Sequence, residues 1–485
     1  MATCSRAATM NSLCGAAAMQ QLEHLWTLIF RILPDELPVP GLPSNLLKRL
    51  FCKAGNLYGL GTATRAVPPE LPQDVLMDIF ATLETLDLVR VGSVCTSWRS
   101  AYTCLRDLGL CKHSQTPCLF YTSESAGDNA AFLYSLVDDR AYKLTLPDPP
   151  IRTRFIVGSS NGWLVTADER SELHLLNPIT GEQVGLPSVI TIEHVKPIYD
   201  EAGVIHSYEL SHHDATGVLE ESTLHSPSDL RDDLYFKAFV FPDPPTRSYI
   251  VVVIHKPYFH LSFARAGHDK WTCLPHNTEY RDCIYKNGLL FALTALGEID
   301  AFDLAASTIT MKQVVGEFRA GVYESMYIIQ APWGDLLQVW RAVNVTNSRD
   351  RNGHLTDISE GEDEDGGDTW QCEYGTLDVT LYEVDVDGNA LVEISGLPQH
   401  MLFLGHSNSL CLSAEGHPKL KSNHVYFTDD HAELPNIFKE RTRDIGVWDL
   451  ENGCKKNIVS QAWSNWPCPT WIAPNLTNMS LAFSK

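Results

Sequence analysis

From about residue 116 onward, short apolar runs alternate with turn chemistry: "RFIVGSSNGWLVTAD", "ELHLLNPITGEQVGLP", "DCIYKNGLLFALTALGEIDAFDL", "LYEVDVDGNALVEI" and "HVYFTDD". Short strands separated by Asn-Gly, Asp-Gly and Pro-x-x-Gly read as β-hairpins, and no long amphipathic helix interrupts them. So many strands must have their edges joined or covered, because an open edge templates aggregation. One theme recurs, a strand running into a polar turn that ends in Gly, at "LLNPITG", "LYEVDVDG" and "GVWDLENG", with "AFDLAAS" a looser copy. Units of about 40 to 50 residues over about 365 residues predict four-stranded blades, a β-propeller of six to eight blades, with seven or eight favoured by the arithmetic.

One stretch departs from this texture: "ELPQDVLMDIFATLETLDLVRVGSVCTSWRSAY", residues 70–102. Pro72 suits the first position of a helix, where an N–H would have no partner, and Asp74 suits the positive end of its dipole. Val75, Leu76, Ile79, Phe80 and Leu83 then cover about 140° of a helical wheel, with Met77 just beyond. Thr85 can cap a second helix through Leu88, Val89 and Val91, and a third runs through Val94, Cys95, Trp98 and Tyr102. A unit of about 35 residues buries too little surface to stand alone, yet it carries many large apolar groups, some of which must face something else.

The string Leu71-Pro72, Asp74, Leu76, Ile79, Leu83, Leu86-Asp87-Leu88, Val94-Cys95 and Trp98-Arg99 resembles the F-box, in which L-P-x-D-x-L opens the first helix and S-V-C-x-x-W-R closes the third. Gly92 stands where that family often has Arg, and Gly inside a helix costs about 1 kcal/mol relative to Ala. The resemblance implies docking on the Skp-type adaptor of a cullin-RING ubiquitin ligase, through Leu71, Pro72, Leu76, Ile79, Leu86, Leu88, Val94, Cys95 and Trp98. Downstream, "GWLVTADERSELHLLNPITG", "WTCLP", "GDLLQVWR", "MLFLGHSNSLCL", "NHVYFTDD" and "GVWDLENG" resemble the plant-restricted propeller, long catalogued as a domain of unknown function, that commonly follows an F-box. The expected organisation is an N-terminal extension at 1–69, partly disordered, an F-box at 70–110 and a β-propeller at 115–480: short α plus large all-β.

The charge of −23 argues against a nucleic-acid backbone as partner, which demands a basic face. The longest apolar runs, "LWTLIF" and "YIVVVIH", fall far short of the roughly 20 residues a membrane helix needs. Thirteen cysteines without a C-x-x-C pair read as free thiols in the cytosol or nucleus. The first 22 residues hold no acid and resemble an organellar transit peptide in their Ala, Ser, Thr and Met content, but only Arg6 is basic, which favours a disordered terminus.

Chemical motifs fail on context. "GSSNG" satisfies G-x-S-x-G around Ser160, but "WLVTA" follows, a strand where a nucleophile elbow needs a helix, so Asn161-Gly162 reads as a hairpin turn. "EVDVDGNALVE" puts Ile394 where a calcium loop needs its closing carboxylate, and Tyr382, Val384 and Val386 alternate with acids as in a strand with a charged face. His206, His212, His213 and Asp214 lack metal-site spacing, and "GLGTAT" at residue 59 lacks the third glycine of a dinucleotide loop. No cofactor is expected.

Residues 191–232 and 347–369 are acidic enough to be long surface loops on the ring. The expected role is therefore non-catalytic: a substrate-recognition subunit of an SCF-type ubiquitin ligase, the F-box holding the adaptor and the propeller an unknown protein target. A propeller scaffold or inhibitor with a vestigial F-box is the alternative.

Overall fold

The computed structural model describes residues 72–112, 114–213, 219–243, 248–275, 278–318, 324–347, 372–430, 443–458 and 464–476. The N-terminal extension, with its leader-like composition and its "GLGTAT", lies outside the described residues, as do Leu71, Asp214 and nearly all of the acidic segment at 347–369. The chain forms two compact units that meet in sequence at Lys112 and His113.

In the first unit, α1 (Gln73–Phe80), α2 (Thr85–Val91) and α3 (Thr96–Asp107) follow the expected order. Their starts differ from expectation by a residue or two. Pro72 is extended (φ −53°, ψ 147°) and stands just before α1, while Asp74 sits in the first turn and accepts the N–H of Val75 at 3.0 Å. Glu84, not Thr85, precedes α2, leaving Thr85 buried as its first residue. Cys95 is extended before α3, so Val94 belongs to the preceding turn.

Phe80 is fully buried and meets the ring of Trp98 edge-on at 5.5 Å, tying α1 to α3. Gly92 closes α2 at its C-terminal end instead of lying in a helix interior. A Cβ there would come within 2.7 Å of the Tyr102 ring, so close approach of α2 and α3, not helix propensity, accounts for the glycine.

The second unit contains seven sheets among the described residues. Four are plain meanders of consecutive strands. The first holds β4 (Phe155–Ser160), β5 (Trp163–Ala167), β6 (Leu173–Leu176) and β7 (Gln183–Gly185). The second holds β11 (Tyr235–Asp243), β12 (Ser248–His255), β13 (His260–Arg265) and β14 (Thr272–Cys273). Next come β15 (Tyr280–Lys286), β16 (Leu289–Thr294), β17 (Ile299–Asp303) and β18 (Met311–Val315), then β19 (Glu324–Gln330), β20 (Leu336–Asn347), β21 (Cys372–Asp385) and β22 (Ala390–Ile394).

A five-stranded sheet follows in the order β24 (Leu410–Ser413), β23 (His400–Leu404), β25 (His424–Phe427), β26 (Gly446–Asp449), β27 (Cys454–Asn457), with β23 and β25 parallel. The remaining blade joins the start of the unit to its end: β1 (Cys118–Tyr121), β2 (Ala130–Ser135) and β3 (Arg140–Thr145) pair in sequence, and β28 (Thr470–Ile472) adds antiparallel to β1.

Each blade is buried on both faces, which is why its central strands read as continuous apolar runs. In "YIVVVIH", Val251 and Val253 enter the core shared with β4 and β5, while Ile250, Val252 and Ile254 enter the one shared with β15 and β16. Leu402 and Leu404 of β23 likewise face β19 to β21, whereas Met401 and Phe403 face β1 and β2. Each fully buried Val or Ile contributes about 1.5–3 kcal/mol before chain entropy is charged against it.

Six sheets thus follow one another as blades. The seventh, β8 (Val195–Tyr199), β9 (Ile205–His213) and β10 (Leu219–His225), is followed by α4 (Pro227–Leu234) and lies between two blades in sequence. It corrects the expectation of a surface loop at 191–232: polar composition hid a sheet whose inner face carries only a few apolar residues, Tyr208 and Leu210 among them. This sheet and the long β20–β21 pair lengthen the chain per blade, so the six blades among the described residues fall at the lower end of the expected six to eight.

Buried charges stitch the inner strands. Lys237 on β11 pairs with Asp282 on β15 at 3.3 Å. Arg341 on β20 meets Asp430, just after β25, and lies 3.7 Å from Asp444, whose carboxylate also accepts the N–H and hydroxyl of Thr376 at 2.8 and 2.7 Å. Such pairs add little net stability against apolar substitutes, but removing one partner is costly.

Candidate functional site

The three helices sort the candidate adaptor contacts into two groups. Leu76, Leu86 and Leu88 are turned inward, with no more than 5% exposure. Ile79, Val94 and Trp98 are half-buried, and Pro72 and Cys95 are exposed. Half-buried Val75, Met77, Leu83 and Val89 add to the accessible apolar area. Leu108 and Leu110, just past α3, are more than half exposed and were not among the candidate contacts; the apolar "LGL" following the helix was their signal.

The electrostatics here are structural. Arg90 is buried and its guanidinium lies 3.3 Å from Asp87, one turn earlier on α2. Lys112 pairs with Glu84 ahead of α2. Burial pushes the Tyr102 hydroxyl and the Cys111 thiol above their ordinary pKa, the direction opposite to an activated nucleophile. The arrangement among the described residues presents an apolar surface.

The propeller disposes of the catalytic look-alikes in the same way. Asn161 (φ 51°) and Gly162 (φ 80°) form the two-residue turn between β4 and β5, as expected from Asn-Gly. Ser160 is buried, and its hydroxyl donates to the carbonyl of Val240 at 2.7 Å. Asp385 ends β21 and accepts the N–H of Gly388 in a turn, with Val384 buried between Glu383 and Asp385, so the acids line a strand and not a calcium loop. His212 and His213 lie in β9 and His206 is exposed, and among the described residues no cluster of His, Cys, Asp and Glu could hold a metal.

Residues 69–105 match the F-box-like family model, and residues 133–449 match the KIB1-4 beta-propeller. Among curated proteins, the putative F-box protein At5g55150 of Arabidopsis thaliana is 22% identical over 415 residues, covering 84% of this chain and 96% of that protein. F-box protein SKIP23, also of Arabidopsis thaliana, is 23% identical over 426 residues, covering 83% of this chain and 94% of that one. A solved structure of U3-55K aligns over 58% of this chain and 82% of its own, at 8% identity and a TM-score of 0.28, too low to carry an argument.

Three short helices with this surface, followed by six successive blades among the described residues, define an F-box protein of the propeller class. More particularly, the chain belongs to the KIB1-4 beta-propeller family, and its relatives imply a plant source.

Proposed function

We propose that this protein is the substrate-recognition subunit of an SCF-type E3 ubiquitin ligase. Its helical unit binds a Skp-type adaptor and its propeller binds the protein to be modified. The observation that carries this reading is the apolar surface left on a very small unit: Pro72, Ile79, Val94, Cys95 and Trp98 lie at least partly exposed at positions matching the F-box motif. Apolar groups of this kind, clustered on about 35 residues, are what an obligate partner covers.

This role needs no bond-making group from the chain itself. Its contribution is proximity, since holding a target lysine beside an activated thioester raises the effective concentration of the reactants. The reducing compartment indicated by its unpatterned cysteines, cytosol or nucleus, suits such a complex.

The test is capture of a purified Skp-type adaptor by the full-length chain and by a Pro72→Glu, Cys95→Glu variant, with circular dichroism to check folding. Both substituted residues are exposed, so folding should survive. Capture by the wild type and its loss in the folded variant would support the reading; no capture by folded wild-type protein would overturn it.

A further inference from the structure

The three-stranded sheet inserted between the first two meanders has two unequal edges. Strand β8 carries Lys196 and Pro197, a charge and a residue with no N–H, which are the usual devices for preventing further strand addition. The opposite edge, β10, holds seven residues, Leu219–His225, with neither Pro nor Lys among them, and among the described residues it pairs only with β9.

The two faces of this sheet also differ. Tyr208 and Leu210 of β9 lie in register with His225 and Thr223 of β10, and their side chains join a core that includes Leu230 and Leu234 of α4. The alternate residues, Glu209 and Leu224, stand on the other face with Ile198 of β8, and Leu224 is 72% exposed. Residues 193–233 contain ten acids against Lys196 and Arg231; Arg231 is engaged by Asp232 and the carbonyl of Thr153, and Asp233 by Lys256 at 2.6 Å, which leaves the remaining acids in excess.

We propose that the open edge of β10 receives a basic, extended segment of the target protein as an added strand. Main-chain hydrogen bonds to β10 would supply the pairing, exposed Leu224 an apolar contact for a neighbouring side chain on the same face, and the surrounding acids a preference for Lys or Arg. This rests on the receptor reading and specifies where and how that receptor grips its target.

The test uses the full-length chain and a labelled peptide of about ten residues alternating Lys and Val, long enough to span β10. A Lys–Gly peptide matches its charge without strand propensity, and a Glu–Val peptide reverses the charge. The expected result is Lys–Val binding about tenfold tighter than either control, with slowed amide exchange at residues 219–225. Thr223→Pro and Leu224→Pro place a proline on each backbone alternation of the edge, and one of them should weaken binding about tenfold while leaving the melting temperature within a few degrees.

No binding, equal binding of Lys–Gly, protection confined to other strands, or wild-type affinity in both folded proline variants would overturn the proposal. If the proline variants fail to fold, the exchange pattern of the wild type decides. Adaptor capture by the same preparations reports on the receptor reading separately, so the failure of one is distinguishable from the failure of the other.

Discussion

The ammonium of Lys237 on β11 lies 3.3 Å from one carboxylate oxygen of Asp282 on β15, and the other oxygen accepts the N–H of Ile328 on β19 at 3.1 Å, so one buried ion pair fastens three blades. Replacing Lys237 by Met leaves that carboxylate buried without its counter-charge, and the expected cost is about 3–5 kcal/mol. Adding Asp282→Asn should recover much of the loss, because the buried charge is then gone as well. Urea unfolding followed by tryptophan fluorescence measures both; equal destabilisation of the single and double variants would refute the coupling.

The same carboxyl sets a pH dependence. Desolvation raises Asp282 from 3.8 to about 6 despite the neighbouring Lys237. Between those values the folded chain keeps a proton that the unfolded chain has lost, so the stabilisation is complete below the lower value and disappears as the pH rises through the upper one. Melting temperatures from pH 4 to 7.5 should show the wild type losing ground to Asp282→Asn across that window. A constant difference would count against the assignment.

Gly92→Ala tests the junction of α2 and α3. The added methyl meets the Tyr102 ring at 2.7 Å, closer than van der Waals contact allows, and overpacking of this kind costs about 1–3 kcal/mol. Amide exchange in residues 85–107 should accelerate, and Tyr102→Ala in the same chain should relieve part of the effect by removing the ring. An unchanged exchange rate in Gly92→Ala would show that the helices can separate freely.

Inward and outward residues of the F-box should fail differently. Leu88 is fully buried, so Leu88→Asp should abolish adaptor capture by unfolding the helical unit, with a loss of several kcal/mol. Cys95 is exposed, so Cys95→Asp should weaken capture while amide exchange in α1 to α3 stays slow. Rapid exchange in both variants would mean that the surface and the interior cannot be separated in so small a unit.

The recurrent Gly-ending turns were legible because they carry one local mechanism. Asn177, Asp385 and Asp449 each lie at the end of a strand and accept N–H groups from the adjoining turn, and Asp303 does the same in the looser copy. Each precedes the last strand of its blade. The F-box was legible for a similar reason, since apolar spacing at 3.6 residues is a local signal. Which of its leucines point inward was not, because Leu76 and Ile79 lie on the same helix face and only packing separates them.

The inserted sheet was hidden by the opposite circumstance. In "LEESTLH" the residues in register with buried Leu210 and Tyr208 are polar Thr223 and His225, while Leu224 faces outward, so the strand's own alternation does not mark its buried face. Lys237, Asp282 and Arg341 were equally silent, since a charge within a strand reads as solvent-facing until its counter-ion on another blade is known.

The pairing of β28 with β1 sets a schedule for the newborn chain. Roughly 350 residues separate the two strands, and at about 5–20 residues per second the ribosome needs on the order of half a minute to deliver the missing partner. Throughout that interval Leu119 and its neighbours wait with an unfilled edge. A premature stop codon just ahead of Thr470 would therefore injure the first blade made, at the far end of the message from the lesion.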